Sequence, residues 1–252
     1  MSVGVLIYCF DSDQILYHRT TNFCIELIKK NLLLPVTVVT NSATKDHIKG
    51  ADSFVVIDNQ KNNIRFYKDK TIPWYNLERS LAYDYSPYDT TILLDSDYFV
   101  YTNNLLELIN SDYEFLLHNR VHDLTGRGSF EYNNRSMIPL VWATVTVFKK
   151  TERVRKIFDM IKHIQKNYSY FCKLYRIDFA NFRNDYAFAM ALNQLDGFNQ
   201  QYFLPSAMSM IPADTKVLKI DHTGIVFQYD KFVNLVTEQD VHVLDKEIPI
   251  NV

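Results

Sequence analysis

Glycine is scarce in this chain, with 6 residues in 252. That scarcity argues against flexible linkers and against a Gly-rich phosphate loop, and neither a GxGxxG nor a Walker-type sequence is present. Cysteine is rarer still. Cys9, Cys24 and Cys172 have no metal-type spacing and an odd count, which fits free thiols in a reducing cytoplasm. Long hydrophobic runs are also missing. The longest nearly apolar stretch, Met137 to Phe148, is too short to span a bilayer and contains Pro139 and two Thr. A net charge of −2 gives no global basic signature for nucleic acid, though a local basic face stays open. The opening Met-Ser-Val-Gly-Val-Leu-Ile-Tyr lacks a basic n-region and a small-residue cleavage site, so it is expected to be a first strand. With no anchor segment in view, the expected location is the cytoplasm, without membrane contact.

What is present is ordinary in bulk and informative in pattern. Hydrophobic content is 47% and charged content 22%, as in soluble globular proteins. Tyr and Phe number 17 each, enough for a large core with some rings left to line a sugar or base pocket. No repeat or low-complexity tract appears, and a single domain over 1–252 is expected.

Strands and helices alternate over the first hundred residues. Val3–Phe10 is a continuous apolar run typical of a buried strand. A helix follows over Thr21–Leu34, stopped by Pro35. Val36–Thr40 and Phe54–Ile57 are further strands, Gln60–Thr71 is a polar surface loop, and a helix runs from Tyr75 to about Tyr85. Thr90–Leu94 is the fourth strand. This alternation predicts an α/β fold with a mixed, mostly parallel sheet flanked by helices, and such sheets bind ligands at the carboxyl ends of their strands. In the second half, Tyr113–Leu117, Val141–Phe148 and Lys216–Ile220 are expected strands. Thr151–Leu174 is a long amphipathic helix and Asp185–Leu195 a shorter one.

One strand end carries chemistry. Ile92-Leu93-Leu94 delivers Asp95-Ser96-Asp97, two carboxylates one residue apart, where a buried strand would surface. Carboxylates are hard oxygen ligands, so Mn²⁺ or Mg²⁺ is their natural partner. A second Asp-x-Asp, Asp11-Ser12-Asp13, lacks that setting and fits a solvated turn.

Four features together resemble the GT-A glycosyltransferases, in particular the soluble, retaining galactosyl- and glucosyltransferase-like enzymes of family 8. Leu93-Leu94-Asp95-Ser96-Asp97 resembles that family's LD-x-D. Arg79 lies upstream on a helix, where many members carry a basic residue that meets the nucleotide-sugar. Asn184-Asp185-Tyr186 opens a helix, as does the acidic motif beside the reacting sugar. His222-Thr223-Gly224 resembles the C-terminal His that completes the metal site. The order is kept along nearly the whole chain. It departs at His222, where the spacing is His-x-Gly and no Lys-Pro-Trp follows.

The resemblance implies an enzyme that moves a sugar from a nucleotide-sugar, most simply a UDP-sugar, with retention and with a bound Mn²⁺ or Mg²⁺. Asp97 would bind the metal, Asp95 the metal or the ribose, and His222 would be a third ligand or else a loop histidine. Asp185 would stand beside the anomeric carbon, serve as a helix cap, or do both. Arg79 and Arg183 would meet the diphosphate or a donor carboxylate, or be solvated helix arginines. Phe10, Asp11 and Asn41 would receive base and ribose, with a turn role open for Asp11. Residues 1–101 would then be the nucleotide-sugar half and 102–252 the acceptor and catalytic half.

His118–Ser136 follows the metal motif where this fold receives its acceptor. It carries Arg120, Arg127 and Arg135 with His118, His122 and Tyr132. These could grip an anionic polymer, including DNA, or form a plain polar loop. Bacteriophage enzymes of this type glycosylate modified DNA bases, so a flipped base is one acceptor to consider. Two other functions are compatible with the pattern: a sugar-nucleotide nucleotidyltransferase, against which the missing Gly-rich loop counts, and a non-catalytic binding protein on the same fold.

Overall fold

The computed structural model describes residues 1–60, 63–67, 70–75, 77–131, 138–178, 181–197, 202–246 and 248–249. Its centre is a six-stranded sheet in the order Ser53–Val56, Val36–Thr40, Val3–Tyr8, Thr90–Leu94, Trp142–Lys149, Phe115–His118. The four strands from the first hundred residues pair in parallel, while Trp142–Lys149 is antiparallel to both of its neighbours. Parallel pairing follows from the helical crossovers, since each strand must return to the same edge before the next begins.

The central strands are apolar throughout because both faces of the sheet are covered. Their alternation sorts the side chains into two cores. Val5, Ile7, Ile92 and Leu94 pack with Phe23, Leu27 and Ile28 of the Tyr17–Asn31 helix. Leu6 and Leu93 point the other way, onto Val154, Phe158 and Ile161 of the Glu152–Lys166 helix and Phe188 of the Asn184–Asp196 helix. The long helix expected over Thr151–Leu174 is interrupted at Asn167, which closes Glu152–Lys166 and precedes Tyr168–Tyr175. Thr151 caps its start by accepting from Val154 N.

A second sheet lies beside the carboxyl ends of the first. Its order is Gly128–Glu131, Arg120–Asp123, Met208–Ile211, Val241–Val243, Tyr98–Phe99. Arg120–Asp123 and Gly128–Glu131 therefore turn part of the expected His118–Ser136 loop into a hairpin, and Tyr132 and Arg135 fall outside the described residues. Lys216–Asp221 belongs to a three-stranded meander with Gly224–Tyr229 and Phe232–Val236.

The polar Gln60–Thr71 segment is not a plain loop. Asn63–Tyr67 pairs with Lys70–Trp74, and Asn63 Nδ2 donates to Phe182 O at 2.8 Å, docking the hairpin beside the start of the Asn184–Asp196 helix. The expected Tyr75–Tyr85 helix is a 3-10 turn, Leu77–Leu81, followed by a short α-helix, Ala82–Tyr85. No helix among the described residues is long and apolar enough to cross a membrane.

Candidate functional site

The two sheets meet at Asp95-Ser96-Asp97. Thr90–Leu94 ends between Val3–Tyr8 and Trp142–Lys149, and Asp95 N donates to Thr144 O at 3.0 Å. Three residues later the chain enters the second sheet as Tyr98–Phe99, which pairs antiparallel with Val241–Val243. That pairing sets His242 opposite Tyr98, and Val243 N donates to Asp97 O at 3.0 Å. Among the described residues, one group of three His, Cys, Asp or Glu side chains brings its ligand atoms within 4.8 Å of one another: Asp95, Asp97 and His242.

Second contacts fix each of these groups. Arg79, 5% exposed on its 3-10 turn, donates from Nη1 to Asp95 Oδ1 at 2.6 Å and from Nη2 to Ala143 O. Asp97 is 6% exposed; its Oδ1 lies 3.3 Å from His242 Nε2 and its Oδ2 pairs with Lys246 Nζ. His242 Nδ1 lies 3.4 Å from Thr144 Oγ1. Burial lowers the pKa of His242 and outweighs the pull of Asp95 and Asp185, so the imidazole is neutral. Thr144 Oγ1 can accept from Nδ1–H, and in that tautomer Nε2, 3.3 Å from Asp97 Oδ1, would be the nitrogen offered to a cation. Burial and the nearby Arg65 push the Lys246 pKa down to about 7, against the pull of Asp95 toward the charged form.

Asp185 reaches the same cavity from the first turn of the Asn184–Asp196 helix. The helix is capped by Arg183 without a side-chain bond, so Asp185 is not its cap. Its Oδ1 instead accepts from Ala143 N at 2.9 Å, and its Oδ2 lies 3.5 Å from Arg183 Nη2. Ala143 can serve both Asp185 and Arg79 because the pairing of Trp142–Lys149 with Phe115–His118 slips between Trp142 and Thr146. Such an irregularity frees backbone groups from the ladder and aims them elsewhere.

The cavity is about 310 Å³. Tyr8, Phe10, Tyr17, Trp74, Tyr75 and Trp142 give it an aromatic wall, and Arg65 of the docked hairpin lies over the Trp74 ring at 5.3 Å. Its charged lining is Arg65, Arg79, Arg183 and Lys246 against Asp95, Asp97 and Asp185.

Solved structures share this architecture. The galactosyltransferase LgtC, in complex with donor and acceptor sugar analogues, matches with a TM-score of 0.50 at 16% identity, over 84% of this chain and 76% of that one. The fold is that of the GT-A glycosyltransferases. Mouse xyloside xylosyltransferase 1 matches with a TM-score of 0.48 at 10% identity, over 81% of this chain and 84% of that one. The glycosyltransferase GlyE of Streptococcus pneumoniae TIGR4 matches with a TM-score of 0.43 at 15% identity over 81% of this chain, which spans 45% of GlyE. No protein-family model matches the chain, and no curated protein matches it in sequence.

On this GT-A frame, Phe10, Arg79, Arg183, Asp95, Asp97 and Asp185 all line the one cavity. His222 does not join them. It sits on the turn between Lys216–Asp221 and Gly224–Tyr229, half exposed, with Nε2 3.3 Å from Glu26 Oε2 and its ring against Phe23. The meander thereby anchors to the Tyr17–Asn31 helix, and the imidazole beside Asp95 and Asp97 is His242.

Asp11 and Asn41 are also absent from the cavity lining, because local chemistry claims both side chains. Asp11 accepts from His18 N at 2.9 Å and pairs with the His18 ring, and Asn41 accepts from Thr44 N at 2.8 Å as the cap of Ser42–Lys45. Arg127 is bound at 3.0 Å by both oxygens of Asp214 and at 2.8 Å by Asp123, so its charge is spent within the fold. Arg120 donates to Pro205 O, and His118 is buried with Nδ1–H donating to Ser206 O at 3.1 Å. His242, Lys246, Trp142, Arg65 and Trp74 were not among the expected site residues. The signal for His242 was a histidine set between two valines, with a lysine four residues on.

Proposed function

We propose that this protein is a divalent-metal-dependent glycosyltransferase that takes its sugar from a nucleotide-sugar. The observation that carries it is the convergence of Asp95, Asp97 and His242 in a cavity that also holds Asp185 and Arg79. Two carboxylate oxygens and one imidazole nitrogen suit Mn²⁺, and suit it better than Mg²⁺, which prefers an all-oxygen shell. A cation held there supplies Lewis-acid stabilisation to a departing diphosphate.

The chain's own residues do the rest. Arg79 holds Asp95 by a short charged bond and fixes the orientation of its carboxylate. Thr144 fixes the His242 ring so that its Nε2 is the ligand atom. Lys246 and Arg183 bring positive charge to the cavity, where a diphosphate needs it. Asp185 is held by Ala143 N–H and keeps an oxygen beside Arg183, as suits a carboxylate that stabilises positive charge developing on a transferring sugar carbon. The aromatic wall offers flat apolar surface to a sugar or a base. The docked hairpin closes part of the cavity with Arg65 and Trp74 and helps to exclude water.

LgtC was solved with donor and acceptor sugar analogues, which supports a nucleotide-sugar, with a uridine diphosphate sugar as the first donor to try. The test is hydrolysis of a panel of nucleotide-sugars with Mn²⁺ present. At least one donor should be cleaved, and Asp97→Asn should abolish the cleavage. No cleavage of any donor by a folded, Mn²⁺-loaded protein would overturn the proposal.

A further inference from the structure

Asp97 is the most enclosed carboxylate of the cavity. An ionised carboxylate at that depth needs a compensating charge. His242 brings a ligand nitrogen but no fixed charge. The charge beside Asp97 is the ammonium of Lys246, whose side chain is 8% exposed and whose Nζ pairs with Oδ2 while His242 faces Oδ1. The segment from His242 to Lys246 is tethered by Val243 N donating to Asp97 O and Leu244 N donating to Ile211 O, at 3.0 and 2.9 Å. Those bonds return the lysine to the same place.

We infer that Lys246 is the resident counter-ion of Asp97, and that a divalent cation enters the site by displacing its ammonium. This role rests on the metal reading of Asp95, Asp97 and His242 proposed above. A divalent ion and an ammonium on one carboxylate repel each other strongly in a water-poor site. The four-carbon lysine stem is flexible, so the ammonium can turn away while the backbone stays in place. Its new partner is the negative charge of a diphosphate arriving with the metal. Cation and diphosphate therefore bind with positive coupling, and each tightens the other by the same factor. Without a metal, the lysine keeps Asp97 compensated and the fold intact.

The experiment is a calorimetric titration with Mn²⁺ alone, without nucleotide, of the wild type and of Lys246→Met, Lys246→Gln, Lys246→Arg and Asp97→Asn. The wild type should bind weakly. Lys246→Met and Lys246→Gln should bind at least tenfold tighter, Lys246→Arg should resemble the wild type, and Asp97→Asn should not bind. Melting in EDTA guards against a folding artefact: Lys246→Met should melt below the wild type, and Mn²⁺ should raise its melting temperature more than it raises that of the wild type. Lys246→Gln, whose amide can still donate to Asp97, keeps the test open if Lys246→Met does not fold. Mn²⁺ binding that is lost in Asp97→Asn but no tighter in either neutral variant would overturn the counter-ion role and leave the metal site standing. Binding unchanged in Asp97→Asn, or absent from every protein, would overturn the metal reading and this inference together.

Discussion

Replacing Arg79 with methionine removes the group that ties the Asp95 carboxylate to the Ala143 backbone. The guanidinium is 5% exposed and bonds Asp95 at 2.6 Å and Ala143 O. Deleting one partner of a buried pair costs about 3–5 kcal/mol, because the other charge stays behind uncompensated. The Asp95 side chain keeps 35% of its exposure, so water recovers part of that loss. Ala143 O keeps a second donor, Thr146 Oγ1, at 3.3 Å. The expected cost is therefore at the low end, about 3 kcal/mol, or a melting temperature lower by about 6–12 °C for a chain of this size. The assay is thermal denaturation of Arg79→Met, Asp95→Asn and the double variant, in EDTA. If Arg79 acts by compensating Asp95, Asp95→Asn should cost at least about 1 kcal/mol less when Arg79 is already gone. Single costs that simply add would refute the pairing as the source of the loss.

Asp185→Asn should lower kcat at least a hundredfold with donor Kd nearly unchanged, as expected of a group that matters in the transition state; single-turnover kinetics beside equilibrium donor binding would check it, and a variant with normal turnover would reduce Asp185 to a support for Ala143. His118 gives a pH prediction. Burial pushes its imidazole down from 6.5 to about 4, so between those values the unfolded chain binds a proton that the folded chain refuses. Stability should thus fall as pH drops through that window, by up to about 3 kcal/mol for this one group. Melting curves at pH 7 and pH 5 should show a smaller acid loss in His118→Gln than in the wild type, and equal losses would contradict the burial argument.

Much of the fold was legible because its signals are local. The β-branched and leucine-rich runs at Val3–Tyr8, Val36–Thr40 and Thr90–Leu94 need two covered faces, and a parallel sheet supplies them. Asp95 and Asp97 follow Thr90–Leu94 and Asp185 lies in the first turn of Asn184–Asp196, elements whose pattern could be read directly, whereas Arg79 lies inside a 3-10 turn where a regular helix was expected. The choice between His222 and His242 could not be read that way. Both lie at short apolar strands late in the chain. What decides is the long-range pairing of Tyr98–Phe99 with Val241–Val243, which leaves no mark on the residues near either histidine. Lys246 is equally unmarked in the sequence, since the same long-range pairing brings it to Asp97. Gln60–Thr71 reads as a loop because its hairpin buries little and has no clean alternation, and its docking onto Phe182 O is again long-range. Asp11 and Asn41 stand at strand ends as expected, yet their short side chains satisfy nearby backbone N–H groups.

The central claim is that Asp95, Asp97 and His242 form one cation site. Its most direct measurement is a Mn²⁺ titration of His242→Ala beside His222→Ala, each checked for a native melting transition. The account predicts that His242→Ala loses Mn²⁺ binding by at least tenfold while His222→Ala keeps wild-type affinity. Retained binding in His242→Ala, with loss in His222→Ala, would contradict it.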